Sequence, residues 1–432
     1  MRLWLFLRLW SLLWHLGLPV VLAYLWKRGR KDPLYAQHLG ERFGRYPQRL
    51  PGAVWVHAVS LVEMRSAVPL VRALLDRGDR VVTTHFTPAG RREAERVFAA
   101  DIAAGRMAAV WVPFETAWAY AGFFRAFRPR AGLVMEIEIW PRMIFAARRA
   151  GVPLFMCNAQ YPNKSMARDA KFTLRHKLMQ GYAGAFVKSD LQARRFASVG
   201  VRNIRVTGEL RFDQPIPPHL LEAGQALRPL LAGDRPVITF ASAVEGEDGV
   251  YLDAIDAALR HPSRPFVVYV PRKPERFDEV AGLLAARGFR FLRRSGAVDA
   301  TLTPQSLRSW GGGPPPDILL GDSLGEMYFY IALADRVVTG GGFTPHGAHN
   351  IIEPLALKRP VIVGPEIHTI EYPAVEAIAA GVCLRVETPE ALAQALTGWA
   401  GSGDEAIHSF FAAHSGATQR TLAALDAEVK PR

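Results

Sequence analysis

Residues 337–354 read VVTGGGFTPHGAHNIIEP: a short β-branched run, three consecutive glycines, and a segment that can begin a helix near Asn350. A buried strand that passes through a glycine turn into a helix is typical of open α/β sheets, and backbone N–H groups in such a turn can point at an anion. The spacing is neither the dinucleotide fingerprint G-x-G-x-x-G nor the Walker P-loop. We therefore expect Gly340, Gly341 and Gly342 to form a nucleotide-binding turn.

Short apolar runs of the same kind recur along the chain, each followed by a stretch of helical length. Such runs are typical of buried parallel strands. They fall into two series on either side of a proline-rich stretch at residues 213–218, so the sequence predicts an α/β fold with two similar doubly wound halves. The expected strands are 54–59, 81–84, 109–112, 132–135, 154–157 and 185–187, then 237–240, 266–270, 289–292, 318–320, 337–339 and 361–363.

These signals divide the chain into four parts. We expect a membrane-associating helix with a basic flank over 1–31, an α/β domain over 32–213, a linker over 214–234, and a second α/β domain with a helical tail over 235–432. Residues 295–316 are expected to form an irregular surface insertion. Ligands of open α/β sheets bind beyond the carboxyl ends of the strands, so two such domains predict a cleft between them.

Composition excludes several classes of protein. The two cysteines, Cys157 and Cys383, rule out a disulfide framework or a cysteine zinc site and favour a reducing compartment. The net charge of +13 favours an anionic partner: nucleic acid, acidic lipid or a phosphorylated substrate. More than half of this charge lies in residues 1–50, and we recognise no nucleic-acid-binding motif, so nucleic acid is not expected.

The N-terminal segment is strongly apolar. Residues 3–26 are mostly Leu, Trp, Val, Phe and Ala, and the basic cluster 27–31 follows. Because no small-residue cleavage site ends the run, we expect a retained membrane helix rather than a signal peptide. A helix that spans the bilayer and one that lies at its interface both leave the rest of the chain on the cytoplasmic face. The basic cluster then either contacts anionic lipid or acts only as a topogenic signal.

Carboxylates follow two strands of the first half. Glu63 lies three residues after Ser60, a spacing that fits a helix-capping box and equally a general base at a strand-to-helix junction. Glu136 and Glu138 follow another strand. They either form a solvated strand end or belong to a site in which a basic group or a substrate offsets their mutual repulsion.

Basic residues follow a strand of the second half. Arg272 and Lys273 precede a helix and suit a phosphate, or they are ordinary surface charge at a helix start. His346 and His349 have no convincing third metal ligand, and the chain contains no Asp-x-Asp pair. We therefore expect neither a metal nor a cofactor.

Several motifs together resemble the 3-deoxy-D-manno-octulosonic acid (Kdo) transferases of Gram-negative bacteria. They occur in the family's order from about residue 35 to about residue 380. The motifs are GERFG at 40–44, HAVSLVE at 57–63, MEIEIWP at 135–141, GELRFD at 208–213, VPRKPERF at 270–277, LGDSLGEM at 320–327, and the block at 340–354.

The resemblance implies a GT-B fold, in which two Rossmann-like domains, one for the acceptor and one for the nucleotide sugar, face each other across a cleft. It implies inverting, metal-independent transfer of Kdo from CMP-Kdo to a lipid A precursor (lipid IVA) in lipopolysaccharide biosynthesis. The implied partners are CMP-Kdo, an anionic glycolipid and the lipids of the inner membrane, at its cytoplasmic face.

The resemblance also assigns residues to roles. Glu63 takes the role of catalytic base. Arg272, Gly340, Gly341, Gly342, Asn350 and Glu353 would hold the CMP portion of the donor, and we add Lys273 because it follows the same strand as Arg272. Further candidates for the cleft are Ser60, Glu136, Glu138, Arg211, Ser242 and Glu245.

Four positions depart from the family's usual pattern. Val62 stands for a glycine, Gln160 for an arginine, Glu209 for an asparagine, and Val244 for a histidine. The alternatives to Kdo transfer are therefore a GT-B glycosyltransferase with another donor or acceptor, and a non-catalytic membrane-bound paralogue.

Overall fold

The two series of strands form two separate parallel sheets in a computed structural model, which describes residues 3–171, 173–307 and 315–429. The chain divides into unit 1, Met1–Gln214 with Ser415–Arg432, and unit 2, Pro215–His414. Each unit contains one seven-stranded sheet with helices packed on both faces. The prediction of two doubly wound α/β halves is confirmed.

The strands are three to seven residues long, as expected for buried parallel strands. They are β1 (Val54–His57), β2 (Val81–His85), β3 (Met107–Trp111), β4 (Ala131–Met135), β5 (Leu154–Ala159), β6 (Gly184–Val187), β7 (Ile204–Val206), β8 (Val237–Ala243), β9 (Phe266–Pro271), β10 (Phe291–Arg293), β11 (Ile318–Leu320), β12 (Arg336–Thr339), β13 (Val361–Val363) and β14 (Cys383–Arg385).

Helices connect nearly all of these strands. They are α1 (Leu3–Gly29), α2 (Leu39–Arg42), α3 (Leu61–Asp76), α4 (Pro88–Val97), α5 (Ala99–Ala103), α6 (Ala117–Phe127), α7 (Pro141–Arg149), α8 (Asn163–Asp169), α9 (Thr173–Met179), α10 (Asp190–Ser198), α11 (Pro218–Ala232), α12 (Asp248–Arg260), α13 (Phe277–Ala286), α14 (Arg294–Ala297), α15 (Met327–Leu333), α16 (Ile352–Ala356), α17 (Glu371–Ala379), α18 (Pro389–Gly398), α19 (Asp404–His414) and α20 (Ala417–Glu428).

The sheet of unit 1 has the order β3-β2-β1-β4-β5-β6-β7, with all strands parallel. Alternate residues of β1 enter different cores: Trp55 packs on one face of the sheet, and Val54 and Val56 pack on the other. The chain winds outward in both directions from the neighbouring strands β1 and β4. In open α/β sheets this reversal leaves a crevice at the carboxyl ends of the two strands.

The sheet of unit 2 has the order β10-β11-β9-β8-β12-β13-β14, again all parallel. The reversal here lies between β8 and β12. The glycine-rich stretch at 340–342 directly follows β12, so the topology places it at the crevice of unit 2.

Two edge strands, β7 and β14, extend the expected set. Each has only three residues and ends a sheet, and β7 is largely exposed. A short, exposed edge strand lacks the apolar run that marks a buried one.

The division of the chain differs from the expected one at both ends of unit 2. Residues 214–234 do not form a linker, because α11 occupies most of them and packs with Leu220, Leu227 and Leu231 in the core of unit 2. Pro218 is the first residue of that helix, where its missing N–H costs no hydrogen bond. The tail is also divided: α19 belongs to unit 2, whereas α20 packs in the core of unit 1.

The expected insertion at 295–316 contains α14 and a 3-10 turn at Pro304–Ser306, and residues 308–314 lie outside the described part of the chain. The expected N-terminal helix is present as α1. It is long and apolar enough to cross a membrane by length and composition.

Candidate active site

The crevice of unit 1 contains Glu63 in the first turn of α3, directly after β1. Ser60 caps this helix: its hydroxyl oxygen accepts the Glu63 N–H at 3.3 Å, and its hydroxyl donates to Glu63 Oε1 at 3.0 Å. The backbone N–H of Val59 donates to Glu63 Oε2 at 2.8 Å. The capping-box interpretation is therefore correct, and the same hydrogen bonds fix the carboxylate at the end of β1.

The pKa of Glu63 is raised from 4.5 to about 7, chiefly by burial. The carboxylates of Glu138 and Glu136 contribute to this rise, and the hydrogen bonds from Val59 and Ser60 oppose it. A carboxyl group with a pKa near neutrality can both accept and release a proton under physiological conditions. The site thus holds a group suited to general base catalysis.

Glu136 follows β4 and belongs to a network of charged side chains. It has a positive φ of 56°, so the strand ends there in a turn. Lys188 Nζ lies 3.0 Å from Glu136 Oε1 and 2.8 Å from Glu209 Oε2. Asn158 Nδ2 donates to both carboxylates, at 3.0 and 2.9 Å. A buried lysine therefore offsets the repulsion that the two acidic residues would otherwise suffer.

Arg211 extends this network. Its guanidinium lies 3.1 Å from Glu209 Oε2, and its backbone N–H donates to Glu209 Oε1 at 3.2 Å. Burial alone would raise the pKa of Glu209. The positive charges of Arg211 and Lys188 outweigh this effect and hold the pKa of Glu209 far below its usual range. Glu209 is thus a fully buried carboxylate that anchors two cations.

Glu138 lies two residues beyond Glu136 and is directed to a different neighbour. The indole N–H of Trp140 donates to Glu138 Oε2 at 2.7 Å. Burial raises the pKa of Glu138, against the effects of Trp140 and Arg175. The acidic side chains expected after β1 and β4 are therefore brought close enough to couple electrostatically.

The crevice of unit 2 is built around a carboxylate that the sequence did not reveal. Glu247 is fully buried and accepts the N–H of Gly341 at 2.7 and 2.8 Å and that of Phe343 at 3.0 Å. The N–H of Val244 and the hydroxyl of Tyr251 donate to the same carboxylate, at 3.1 and 2.9 Å. Glu247 therefore occupies the position at this turn where we expected a ligand's anion.

The three glycines are instead required by close packing. A Cβ on Gly340 would lie 2.2 Å from the carbonyl oxygen of Ser242, and one on Gly342 would lie 2.6 Å from the nitrogen of Gly364. Gly341 has a φ of 94°, in the region that favours glycine. The N–H of Gly340 donates to Ala241 O at 2.8 Å, so neither Gly340 nor Gly341 offers its amide to a ligand in this conformation.

A cationic cavity of about 220 Å³ lies beside this turn. It is lined by Ala243, Val244, Glu245, Arg272, Lys273, Arg276, His346 and His349. Arg276 is paired with Asp248 at 2.6 Å, but the side chains of Arg272 and Lys273 have no hydrogen-bond or ionic partner in the described ranges. Two unpaired cations in a concave site suit a phosphate.

Two histidines complete this cavity. Nε2 of His349 is buried and has no hydrogen-bond partner among the residues described. The pKa of His349 is lowered to about 4, chiefly by burial, with contributions from Arg272 and His346. His349 is therefore neutral at pH 7, and an anion in the cavity would both meet its free nitrogen and raise its pKa.

The other expected residues of unit 2 lie around the same turn. Ser242 has a positive φ of 61°, and its carbonyl packs on Gly340. Asn350 Oδ1 accepts the N–H of Ile352 at 2.9 Å and thereby starts α16, a helix of only five residues. Glu353 is half-buried in the first turn of α16. Neither Asn350 nor Glu353 lines the cavity.

Three of the four unusual positions lie in or beside these sites. Val62 is 62% exposed on α3, so its side chain does not crowd the turn as its bulk suggests. Glu209 anchors the charged network, and Val244 lines the cationic cavity. Gln160 is buried directly after β5.

Sequence reasoning missed the contributions of Lys188, Glu247, His346 and His349. Lys188 directly follows β6, and a position directly after a strand is what singled out the other candidate residues, so this signal could have identified it. The two histidines flank Gly347 after the glycine turn, but the sequence suggested only metal ligation for them. In the described ranges, no three His, Cys, Asp or Glu side chains are grouped to hold a metal ion.

Comparison with known proteins points to one family. A family model described as 3-Deoxy-D-manno-octulosonic-acid transferase (kdotransferase) matches residues 37–214. The chain is 40% identical to the 3-deoxy-D-manno-octulosonic acid transferase of Bordetella pertussis, over 94% of this chain and 96% of that protein. It is 30% identical to the transferase of the same name from Haemophilus influenzae, over 83% of this chain and 81% of that protein.

Solved structures agree on the fold. A glycosyltransferase from Rickettsia africae covers 90% of this chain and 100% of its own length, with a TM-score of 0.58 and 15% identity. A UDP-GlcNAc 2-epimerase from Neisseria meningitidis covers 86% of this chain and 99% of its own length, with a TM-score of 0.54 and 14% identity. With the two parallel sheets, these likenesses identify the fold as GT-B.

Proposed function

The chain belongs to the 3-deoxy-D-manno-octulosonic acid (Kdo) transferase family and is a glycosyltransferase, and on this premise we propose that it transfers Kdo from CMP-Kdo to a phosphorylated glycolipid, the lipid A precursor. The observation that carries the proposal is the carboxylate of Glu63, which is fixed at the end of β1 and has a pKa of about 7. Helix α1 supports membrane association, and we place the enzyme at the cytoplasmic face of the inner membrane, where the reducing compartment suits its two free cysteines.

In the proposed reaction, Glu63 accepts the proton of an acceptor hydroxyl. The hydroxyl oxygen forms a bond to the anomeric carbon of Kdo, the bond from that carbon to the phosphate oxygen breaks, and CMP leaves with inversion. Negative charge grows on the departing phosphate. In our proposal Arg272 and Lys273 stabilise this charge, and His349 contributes a hydrogen bond from its buried nitrogen.

The donor site proposed here differs in detail from the sequence-based expectation. Because Glu247 accepts the amide of Gly341, we assign the phosphate contacts to the side chains of the adjacent cavity and not to the glycine amides. The glycines then shape the cavity by allowing β8, β12 and the chain after β13 to approach closely. We assign Asn350 and Glu353 to the nucleoside side of the site.

Transfer of isotope-labelled Kdo by the purified full-length protein tests the proposal. Label from CMP-Kdo should appear in the lipid A precursor, and CMP should raise the thermal unfolding temperature more than UMP does. Because protein cations stabilise the phosphate in this proposal, EDTA should leave the rate unchanged. If the protein consumes another nucleotide sugar and transfers no label from CMP-Kdo, the proposed donor is wrong.

A further inference from the structure

Helix α1 lies along unit 1 over most of its length. Near its beginning, the carbonyl of Leu7 accepts a hydrogen bond from the Arg142 guanidinium at 3.0 Å, and the indole of Trp10 donates to Glu115 at 3.0 Å. Near its end, Leu25 is only 2% exposed in a small apolar cluster. One face of the helix therefore packs against the rest of unit 1.

The opposite face of α1 is apolar and exposed. Its exposed large side chains, at 46–72% exposure, are Trp4, Leu5, Leu9, Leu12, Leu13, Leu16, Val20, Tyr24 and Trp26. A helix that crosses the bilayer alone is surrounded by lipid, whereas this helix packs against the α/β part of unit 1 on one side and has one side suited to lipid. That arrangement fits a helix lying in the plane of the membrane interface, with its apolar ridge among the acyl chains.

A cavity of about 830 Å³ opens between α1, α6 and α7, next to this ridge. Most of its walls are apolar or aromatic, and they include Trp4, Trp118, Phe124 and Phe145. The volume is within the range of pockets that enclose whole ligands, about 300–1,000 Å³. A site open to the membrane, with apolar walls of this size, suits an acyl chain.

Three arginines, Arg8, Arg142 and Arg149, also line the cavity. Arg8 and Arg149 form no ion pair with any residue that the structure describes, and Arg8 stacks on Trp4, its guanidinium carbon 5.0 Å from the ring centroid. Nε of Arg142 is buried without a hydrogen-bond partner.

Glu115, which lies near Arg142, is already fully engaged. Its carboxylate accepts the backbone N–H groups of Arg142 and Met143, at 2.8 and 3.0 Å, in addition to the Trp10 indole. Glu115 offsets part of the charge of Arg142, but Arg8 and Arg149 have no acidic partner in the described ranges, so the lining of the cavity is positive and suits an anion.

We propose that this cavity binds one anionic phospholipid of the surrounding bilayer, with an acyl chain along the aromatic walls and the phosphate between Arg8, Arg142 and Arg149. Charge complementarity and continuity with the exposed ridge of α1 select this occupant. The proposal goes beyond glycosyl transfer, which needs membrane association but no second lipid site. It also assigns α1 to the interface rather than to a transmembrane position.

Quenching of tryptophan fluorescence by phosphatidylglycerol with brominated acyl chains tests this site, because Trp4 and Trp118 form part of its wall. Brominated phosphatidylglycerol is titrated into the full-length protein in neutral detergent micelles, with brominated phosphatidylcholine as the comparison. Quenching by phosphatidylglycerol should saturate at one lipid per chain. The R8Q/R149Q variant should bind about 25-fold more weakly, at about fivefold for each arginine removed.

The R194Q/R202Q variant is the matched control, because it removes two exposed arginines elsewhere in unit 1. It should bind as the unchanged protein does, and thermal unfolding should show that both variants are folded. Three results would overturn the proposal: quenching that does not saturate, equal weakening by the control variant, or displacement of the brominated lipid by the glycolipid acceptor but not by unlabelled phosphatidylglycerol. The last result would assign the cavity to the acceptor.

Discussion

Glu63 caps helix α3 and, in the proposed function, also acts as the general base, two roles that the sequence presented as alternatives. Its carboxylate closes the capping box with Ser60, and its pKa lies near 7 because the group is buried beside two other carboxylates. The hydrogen bonds that cap the helix also hold the carboxylate still. A base held in one orientation needs no reordering when its substrate arrives.

Replacing Glu63 with Gln should abolish most of the activity and leave the fold intact. The amide keeps the shape of the side chain and an oxygen for the Val59 N–H, but it cannot accept a proton. Loss of a general base lowers kcat by about 10²- to 10⁴-fold. The measurement is transfer of labelled Kdo, with CMP-induced thermal stabilisation as the check on donor binding.

Asp76→Asn on the same helix is the matched control, since Asp76 is an exposed carboxylate. It should leave kcat unchanged. A Glu63→Gln enzyme that retains most of its rate would show that Glu63 only caps the helix.

The pH dependence of transfer should report the pKa of Glu63. A base acts when deprotonated, so kcat/KM should rise with pH through about 7. Because Glu138 raises this pKa, Glu138→Gln should move the midpoint to lower pH. A midpoint near 4.5 in the unchanged enzyme would contradict the burial of the group.

The same shift has an effect on stability with a definite sign. The pKa of Glu63 is higher in the folded protein than in the unfolded chain, so stability falls as the pH rises from about 4.5 through 7. Glu63→Gln removes this loss. We compare the free energy of unfolding in urea of the variant with that of the unchanged protein. The difference should be more in favour of the variant at pH 8 than at pH 5.

At the scale of elements, the turn after β12 shows how an internal carboxylate can hold a turn beside a cavity. Glu247 gathers the N–H groups of Gly341, Phe343 and Val244 and so joins the beginning of α12 to the turn. The adjacent cavity keeps Arg272 and Lys273 available. The turn is thus stabilised from inside, and Arg272 and Lys273, which follow β9, keep unpaired side chains in the cavity beside it.

Glu247→Ala should destabilise unit 2 by about 3 kcal/mol or more, since each buried donor left without an acceptor costs about 1–3 kcal/mol. Glu247→Gln, which keeps one oxygen, should lose less. Urea unfolding followed by circular dichroism measures both. Glu245→Gln, two residues away and exposed, is the control and should stay within about 0.5 kcal/mol of the unchanged protein.

The sequence predicted most elements because most strands are buried on both faces. An apolar run such as Val237–Phe240 fits a central parallel strand well, whereas Ile204–Val206, short and exposed, does not. Proline density around residues 213–218 suggested a linker, although Pro218 begins a helix. Local composition does not distinguish these two uses of proline.

The proposed site was predictable only where its residues directly follow a strand. Glu63 and Arg272, to which the proposed function gives roles, each follow a strand directly or within a few residues, so the rule for open α/β sheets singled them out. Gly340 fits the same rule, but its amide donates to Ala241. Glu247 begins a helix and resembles a surface carboxylate in sequence. Its burial depends on Gly341, more than ninety residues away, and no local pattern records that contact.

At the scale of the whole molecule, the chain leaves unit 1 after Gln214 and returns to it at Ser415. Helix α20 then completes the core of unit 1, with Ala417, Leu422 and Leu425 in the cluster that covers one face of the sheet. The stability of unit 1 therefore depends on residues from both ends of the described chain.

Leu425→Ala should destabilise unit 1 by about 2–5 kcal/mol, the usual cost of such a cavity in a packed core. Leu425 is fully buried, whereas Gln419 on the same helix is exposed. Gln419→Ala is therefore the control and should change little. Hydrogen exchange resolves the units: amides of β1 and β4 should lose protection in Leu425→Ala, and amides of β8 and β12 should not.

The return of the chain to unit 1 also sets an order of events during translation. Unit 2 is one continuous segment, so all of its strands and helices are synthesised before α20. Until α20 is made, unit 1 exposes the apolar surface that α20 later covers. Helix α1 can already contact the bilayer at that stage. Early binding of α1 to the membrane would protect its apolar surface from aggregation during this interval. The apolar surface of unit 1 that awaits α20 is where a chaperone would be needed.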